Sequence, residues 1–469
     1  MPSYRPRRVR LKSFQQTLST YVQAPDLPFH DALSEEIINE LAAAHQSQFD
    51  GAGQRVFTLA IVVWAWLTQV SAEDRSCLAV TMRILAFRQR SGEPPCSTLT
   101  GGYCTARKKL AEKFLHCLVV HVAQQVEDEA PHEWRWHGRR ALLVDGTTVT
   151  APDTEANQAA YPQPSSQAPG LGFPIIRLVV LLGLATGTLL DAAMGRYSGK
   201  ETGETALLRT LLDGLRAGDV LVADRYYCSY WMIALAQALG MDVVFRLHQL
   251  RHYDFRRGRH LGPDDHVVEW VKPARPDWMD ADTYAALPDT LTIREVRTAV
   301  TEPGFRTKEI IVATTMLDAD CYSRDDILDL YHERWHVELD IEAIQQTLKM
   351  DILRCKTPAM LHKELWAHLL AYNLVRKVMA QAAIVAGINP RTISFKGTLQ
   401  ALRAFEQDLQ RQGPDALAEL AAVLFKAVAE HRVGDRPGRV EPRAVKRRPK
   451  EYPHLAKPRA EAQAELRNG

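Results

Sequence analysis

The 469-residue sequence has no excess of either charge: 58 Lys and Arg stand against 56 Asp and Glu, a net of +2. That excludes a chain basic throughout. It does not exclude a nucleic-acid partner, because what matters is where the charge lies. Cysteine is scarce and scattered. The seven residues (77, 96, 104, 117, 228, 321, 355) form no Cys-x-x-Cys pair, and no Cys/His set has zinc-ligand spacing. Reduced thiols in a cytoplasmic protein are the reading this supports. Long uncharged apolar runs are missing too. VFTLAIVVWAWLTQV (56–70) falls short of the roughly 20 residues a spanning helix needs. Residues 174–195 carry Arg177 and Asp191 and are broken by glycines, which reads as two buried strands around an Ala-Thr-Gly-Thr turn. The basic stretch MPSYRPRRVRLKSF is not followed by an apolar core, so it does not read as a secretory signal. The expectation is a soluble chain with no membrane partner. No internal repeat is evident.

With 46% hydrophobic residues the chain can bury a sizeable core. Residues 1–135 show helical periodicity from about residue 30, in apolar stripes separated by Gly, Pro and Ser, and predict a helical N-terminal domain. From 139 to 248 the texture changes. ALLVDGTTV reads as a strand, two strands follow at 174–185 and 187–196, and KETGETALLRTLLDGL reads as a helix beginning near Glu201. DVLVAD, YWMIALAQAL and MDVVFRL then give strand, helix and strand. That order predicts an α/β, RNase H-like catalytic core. Residues 249–306 read as a β-rich insertion, 307–390 as the second part of the core with one long helix from DDILDLYHERWHVELDIEAIQQTL, and 391–469 as a helical C-terminal region with a basic tail.

Three acids sit where a two-metal phosphoryl-transfer site needs them. Asp145 and Asp224 each close a short apolar run that reads as a buried strand, and Glu338 lies on the long amphipathic helix. Such rigid elements leave converging carboxylates little entropy to lose. Two divalent cations about 3.5–4 Å apart can activate the attacking oxygen and relieve charge on the leaving one. Mg²⁺ prefers oxygen donors, hence Asp and Glu. Taken singly, Asp145 could open a turn, Asp224 could cap a helix, and Glu338 could be a solvated helix residue with Glu342 as its rival. Their joint placement in one strand–helix order points to an enzyme that cuts and joins nucleic-acid backbones. Tyr331, Arg334, Glu338 and Gln345, spaced three, four and seven residues apart, are expected on one helix face.

These motifs resemble those of the DDE transposases of bacterial insertion sequences, specifically the IS-four family. Asp145-Gly146-Thr147, Asp224-Arg225-Tyr226-Tyr227, and Tyr331, Arg334 and Glu338 match its three signatures, the last being Tyr-x2-Arg-x3-Glu-x6-Lys. YPQPSSQAPGLGFP, YSGKETGETALLR, LRCKTP and KRRPKEYPHLAKPR are similar as well, so the likeness runs from about 140 to 460. The resemblance implies that Asp145, Asp224 and Glu338 bind two Mg²⁺, with Mn²⁺ as a substitute, and that Tyr331 and Arg334 contact DNA backbone at the element end. It implies hydrolytic nicking, a hairpin that is reopened, and joining to target DNA by a homodimer that pairs two double-stranded ends. Arg225 joins the DNA-binding set, and the resemblance implies that the helical domain 1–135 is a DNA-binding domain that recognises the terminal inverted repeats. Where the signature has Lys, this chain has Gln345, which keeps a donor and loses the charge; Lys349, one turn on, is a candidate substitute. In relatives the insertion holds a flipped base by stacking on Trp, for which Trp270 is the first candidate here and Trp278 the second.

Basic runs at Arg5, Arg7, Arg8, Arg10 and Lys12, in RHYDFRRGRH, and at Arg443, Lys446, Arg447, Arg448 and Lys450 are candidates for phosphate contact. His248, His252, His260 and His266 read as exposed polar residues. A haloacid-dehalogenase-type phosphatase is excluded, because Leu143 stands where its nucleophilic Asp would be. Two rivals stay open: a metal-dependent nuclease that cuts without joining, and a DNA-binding relic of an inactive enzyme.

Overall fold

The computed structural model of the chain describes residue 33 and residues 35–45, 56–90, 92–300, 308–409, 414–434 and 454–468. The N-terminal basic run at 5–12 and the tail cations at 443–450 lie outside the described residues. At the centre is one nine-stranded sheet. Its strands are β1 (Ala141–Thr150), β2 (Ile175–Gly183), β3 (Leu189–Arg196), β4 (Val220–Ala223), β5 (Asp242–Arg246), β6 (Arg259–Gly262), β7 (Asp265–Val271), β8 (Thr290–Ala299) and β9 (Glu309–Thr314). They lie in the order β3-β2-β1-β4-β5-β9-β8-β7-β6. β1, β2 and β3 form an antiparallel meander, and β4 and β5 run parallel to β1. That is the RNase H-like arrangement the strand order predicts.

β1 reads as a nearly continuous apolar run because both faces of the sheet are covered. Leu143 and Val149 enter the core on one side, Leu142 and Val144 the core on the other. The first side is packed by helices Leu59–Ser71, Glu112–Glu129, Arg324–His332 and Pro358–Ala386, the second by Glu204–Arg209 and Tyr230–Ala238. Pro358–Ala386 is the one described helix long and apolar enough to cross a membrane, and 78% of its apolar stretch is buried inside the protein.

Within 249–300, β6 pairs with β7 and β7 with β8, all antiparallel, but the insertion is not a separate sheet. Its strands extend the core sheet, since β8 pairs with β9 from Arg294↔Thr314 to Ala299↔Glu309, and β9 pairs in turn with β5. A buried Arg294–Asp265 pair, with N···O distances of 2.8 and 2.6 Å, ties β8 to β7. His266, expected to be exposed, is fully buried between the Arg257 carbonyl at 2.7 Å and Glu295 at 3.1 Å, because its strand has covered faces.

The single long helix expected across 325–348 is interrupted. Arg324–His332 is followed by Trp335–Glu342 and then by a π-helical turn, Ala343–Thr347. What fixes this segment is Asp340, 1% exposed, on the side of the helix opposite Glu338. One of its oxygens accepts from Arg376 and the other from Arg391 at 2.6 Å. Arg391 also donates to the carbonyls of Gly183 and Leu184 at 2.8 and 2.6 Å. The Asp340–Arg391 contact thus locks the acid-bearing helix to the end of β2.

Candidate active site

The parallel register of β1 and β4 builds the first half of the site. Leu143 pairs with Val222. Two residues past that pair come Asp145, still in β1, and Asp224, just beyond the end of β4, and the two carboxyls are close enough for Asp224 to raise that of Asp145. Asp145 is at the middle of β1, where burial gives way and the strand runs on to Thr150, and Asp224 immediately follows β4. The Asp224 carboxylate accepts from the Tyr226 N–H at 2.7 Å, an Asx turn that halts the strand there.

The second half comes from the interrupted helix. Arg334 lies between two acids, donating to Glu338 at 2.9 Å and standing 3.6 Å from Asp145. Tyr331 is 9% exposed and hydrogen-bonded to Arg334, and burial pushes its hydroxyl up. Its ring therefore orients Arg334 and leaves little surface of its own. Burial pushes the Asp145 carboxyl up to about 6, against the Gly146 N–H and Arg334, which lower it; Asp224 and Glu204 raise it further. An oxygen donor held in that condition is relieved by a cation.

Glu204 is the residue that sequence reasoning missed. It opens the helix Glu204–Arg209, and burial, with Asp224 adding to it, raises its carboxyl. The Tyr227 hydroxyl donates to it at 3.4 Å and Arg177 is 3.9 Å away. Gly146 makes room for it: a Cβ at 146 would lie 2.2 Å from the Glu204 Cδ. Glu204, Asp224, Arg225, Arg177 and His248 line a cleft of about 490 Å³. The signal was present in KETGETALLR, but a helix read from Glu201 put the acid one turn inside it and away from the strands.

The other expected site residues are placed as follows. Arg225 is exposed at the mouth of the cleft. Gln345 turns to β1, its Nε2 donating to Thr147 Oγ1 at 2.8 Å and to the Thr148 carbonyl at 2.9 Å. Lys349 lies beyond the end of the helical segment with φ +54°, so the one-turn spacing that linked it to Gln345 does not hold. Trp270 is 3% exposed, its Nε1–H donates to Glu295 at 3.1 Å, and Arg251 covers its ring at 3.5 Å. It faces the core because its β7 position alternates inward, and it offers no free face for a base. Trp278 lines a cavity of about 800 Å³ together with Tyr226, Trp231 and His248.

A model of the transposase DDE domain matches residues 136–374. The chain belongs to the DDE transposases. Within them it is of the IS4 family: it is 28% identical over 357 residues to the transposase InsG for insertion sequence element IS4 of Escherichia coli K12, covering 75% of this chain and 77% of that one. The putative transposase InsL for insertion sequence element IS186A of Escherichia coli K12 is 32% identical over 69 residues, 15% of this chain and 19% of its own. A piggyBac transposase synaptic complex with hairpin DNA superposes with TM-score 0.40 at 12% identity, over 91% of this chain and 87% of that one. As a DDE transposase the protein acts on DNA, and use of divalent metal is general to the domain. The donor set fits a hard divalent cation, since every acid at the site offers oxygen and Asp145 is buried at a cost that a cation would offset. Among the described residues no three His, Cys, Asp or Glu side chains yet converge on one point. Arg334 stands between Asp145 and Glu338 instead.

Proposed function

We propose that this transposase performs cut-and-paste transposition of an insertion sequence in the cytoplasm, with Asp145, Asp224 and Glu338 as the carboxylates that hold two Mg²⁺ ions and Glu204 as a fourth acid beside them. The observation that supports this best is the parallel β1–β4 pairing, which ends at Leu143 and Val222, two residues before Asp145 and Asp224, together with the mutual influence of the two carboxyls. Bound there, the ions would supply Lewis-acid activation of the attacking oxygen and charge relief on the leaving one. Asp145 in mid-β1 and Asp224 at the end of β4 present their carboxylates from backbone that the sheet fixes. Arg334 shields Asp145 from Glu338, and a cation held by those acids would leave its guanidinium available to a phosphate oxygen. Tyr331 keeps Arg334 in place. Arg225, at the mouth, binds backbone phosphate, and a homodimer pairs two ends. The steps are nicking, hairpin formation, hairpin opening and joining to target DNA.

The test is incubation of a plasmid carrying the DNA that flanks this gene with purified protein and Mg²⁺ or Mn²⁺. Breaks at two discrete ends, hairpin-ended fragments and joined products are expected. Breaks without joined products would leave a nuclease; specific end binding with no break under either metal would leave a DNA-binding relic.

Two variants test finer points. Gly146→Ala forces Glu204 away from Asp145, an overpacking change worth about 1–3 kcal/mol. End cleavage is expected to fall about tenfold or more, with circular dichroism unchanged; a rate equal to the parent's would remove Glu204 from the site. Trp278 replaces Trp270 as the base-stacking candidate: Arg209 covers one face of its ring at 3.7 Å, but the residue is only half-buried and lines the open cavity. Stacking on an aromatic ring is worth about 1–3 kcal/mol per base. Trp278→Ala is therefore expected to slow hairpin formation about 10- to 100-fold and to leave the first nick alone, as followed on denaturing gels. Slowing of the nick by the same factor would count against this assignment.

A further inference from the structure

Gln345 stands where its family's signature has a phosphate-binding Lys, yet both hydrogens of its amide are already committed within the protein. The acceptors, Thr147 Oγ1 and the Thr148 carbonyl, belong to β1, and Thr147 shares its face with Asp145 two residues earlier. Gln345 itself sits in the π turn, where the Leu348 N–H reaches back five residues to the Ala343 carbonyl at 3.1 Å. Widening the turn rotates residue 345 off the line that a regular helix would keep with Glu338. The same stretch is sewn to β1 again just beyond. Thr150 N–H donates to the Asp351 carbonyl and Leu353 N–H to the Thr150 carbonyl, both at 2.9 Å. Arg75, from the helical region, holds the Lys349 carbonyl at 2.7 Å.

We propose that Gln345 is a positioning residue: it fixes the separation of the strand carrying Asp145 from the helix carrying Glu338, and it takes no DNA phosphate. The proposal rests on the reading of those two acids as the catalytic pair. A neutral amide suits the task better than an ammonium, because it offers two directed donors and no charge to be drawn out to water or phosphate. In this protein the Gln is a tie between two elements, so restoring Lys does not restore function.

The experiment uses full-length protein, a duplex carrying the element end, and the variants Gln345→Ala, Gln345→Lys, Thr147→Val and the Gln345→Ala/Thr147→Val double. Binding is measured across a salt series and cleavage at saturating DNA and Mg²⁺. Gln345→Ala is expected to lower the cleavage rate about five- to tenfold with end affinity unchanged, Thr147→Val by less because the bond to the Thr148 carbonyl remains, and the double variant no further than Gln345→Ala. Gln345→Lys is expected to leave the slope of log K against log salt unaltered and the rate no higher than the parent's. A Lys there that met a phosphate would steepen the slope by about 0.9. That steepening, a gain of rate on Gln345→Lys, or additive losses in the double variant would overturn the proposal. Asp145→Asn run alongside separates the two layers: if it cuts as fast as the parent, the reading of the acids is what has failed. The salt slope still decides whether residue 345 meets phosphate.

Discussion

Asp145→Asn is expected to abolish end cleavage, by at least about three orders of magnitude, while making the metal-free protein harder to unfold. The first effect follows from removing a charged oxygen donor from a two-cation centre, where each 1.36 kcal/mol of lost transition-state stabilisation is a factor of ten. The second follows from burial. The Asp145 carboxyl moves from 3.8 to about 6 on folding, chiefly because its charged form is desolvated. Between those values the folded state binds more protons than the unfolded one, so stability falls as pH rises across that window. Above pH 6 the ionised side chain costs the fold on the order of 2–3 kcal/mol. Asn removes that cost. Urea unfolding at pH 7.5 is therefore expected to show a higher midpoint for Asp145→Asn, with the difference vanishing near pH 3.5. Adding Mg²⁺ should raise the parent's midpoint and leave the variant's in place. A variant no more stable than the parent at pH 7.5 would mean that Asp145 is solvated or paired more fully than its 22% side-chain exposure indicates.

Asp340→Ala is expected to be the most damaging single change outside the acids. It leaves Arg376 and Arg391, each with a side chain 6% exposed, as uncompensated buried cations. Breaking a buried ion pair from one side costs about 3–5 kcal/mol. In a chain of this size that corresponds to a fall in Tm of roughly 5–10 °C. Arg391 would then lose the partner that links the Glu338 helix to the carbonyls at the end of β2. Differential scanning calorimetry measures the first loss, and cleavage at 20 °C below the new Tm measures the second. The comparison that separates charge from packing is a triple change, Asp340→Leu with Arg376→Met and Arg391→Met. Swapping all three for apolar residues of similar volume should recover much of the melting temperature, since a buried pair is worth little more than good packing. Failure of the triple variant to recover would put the weight on the backbone carbonyls that Arg391 serves.

Strand order and the first two acids were legible in the sequence because they depend on local pattern. An apolar run closed by Asp announces both the strand and the position of the acid, although β1 runs on five residues past Asp145. What could not be read depends on pairing across distance. Nothing in 249–306 says that β8 will hydrogen-bond to β9 and so prolong the core sheet. His266 read as exposed, and Trp270 as open to a flipped base, for the same reason: the strand pairing of the insertion buries both. Periodicity likewise predicted one helix over 325–348. The break at Glu333 and Arg334 and the π turn at Ala343 do not alter which residues are apolar, so they leave no periodic trace. Glu204 was hidden by a shift of one turn at a helix start, the least certain feature of any such reading.

The pairing of β1 with β4 also has a consequence for how the protein is made. Its acids are written far apart: some 80 residues separate Asp145 from Asp224, and over 110 more separate Asp224 from Glu338. Contacts of such long range form slowly, because loop closure must come before any gain from pairing. At roughly 5–20 residues per second, the polypeptide spends on the order of ten seconds or more between emergence of the first acid and of the third. For that interval the nascent chain holds a partly built sheet and no complete centre. Internal deletions that spare β1 to β5 but remove the segment around Glu338 would freeze the molecule in that half-assembled form, able to fold its strands and unable to cut.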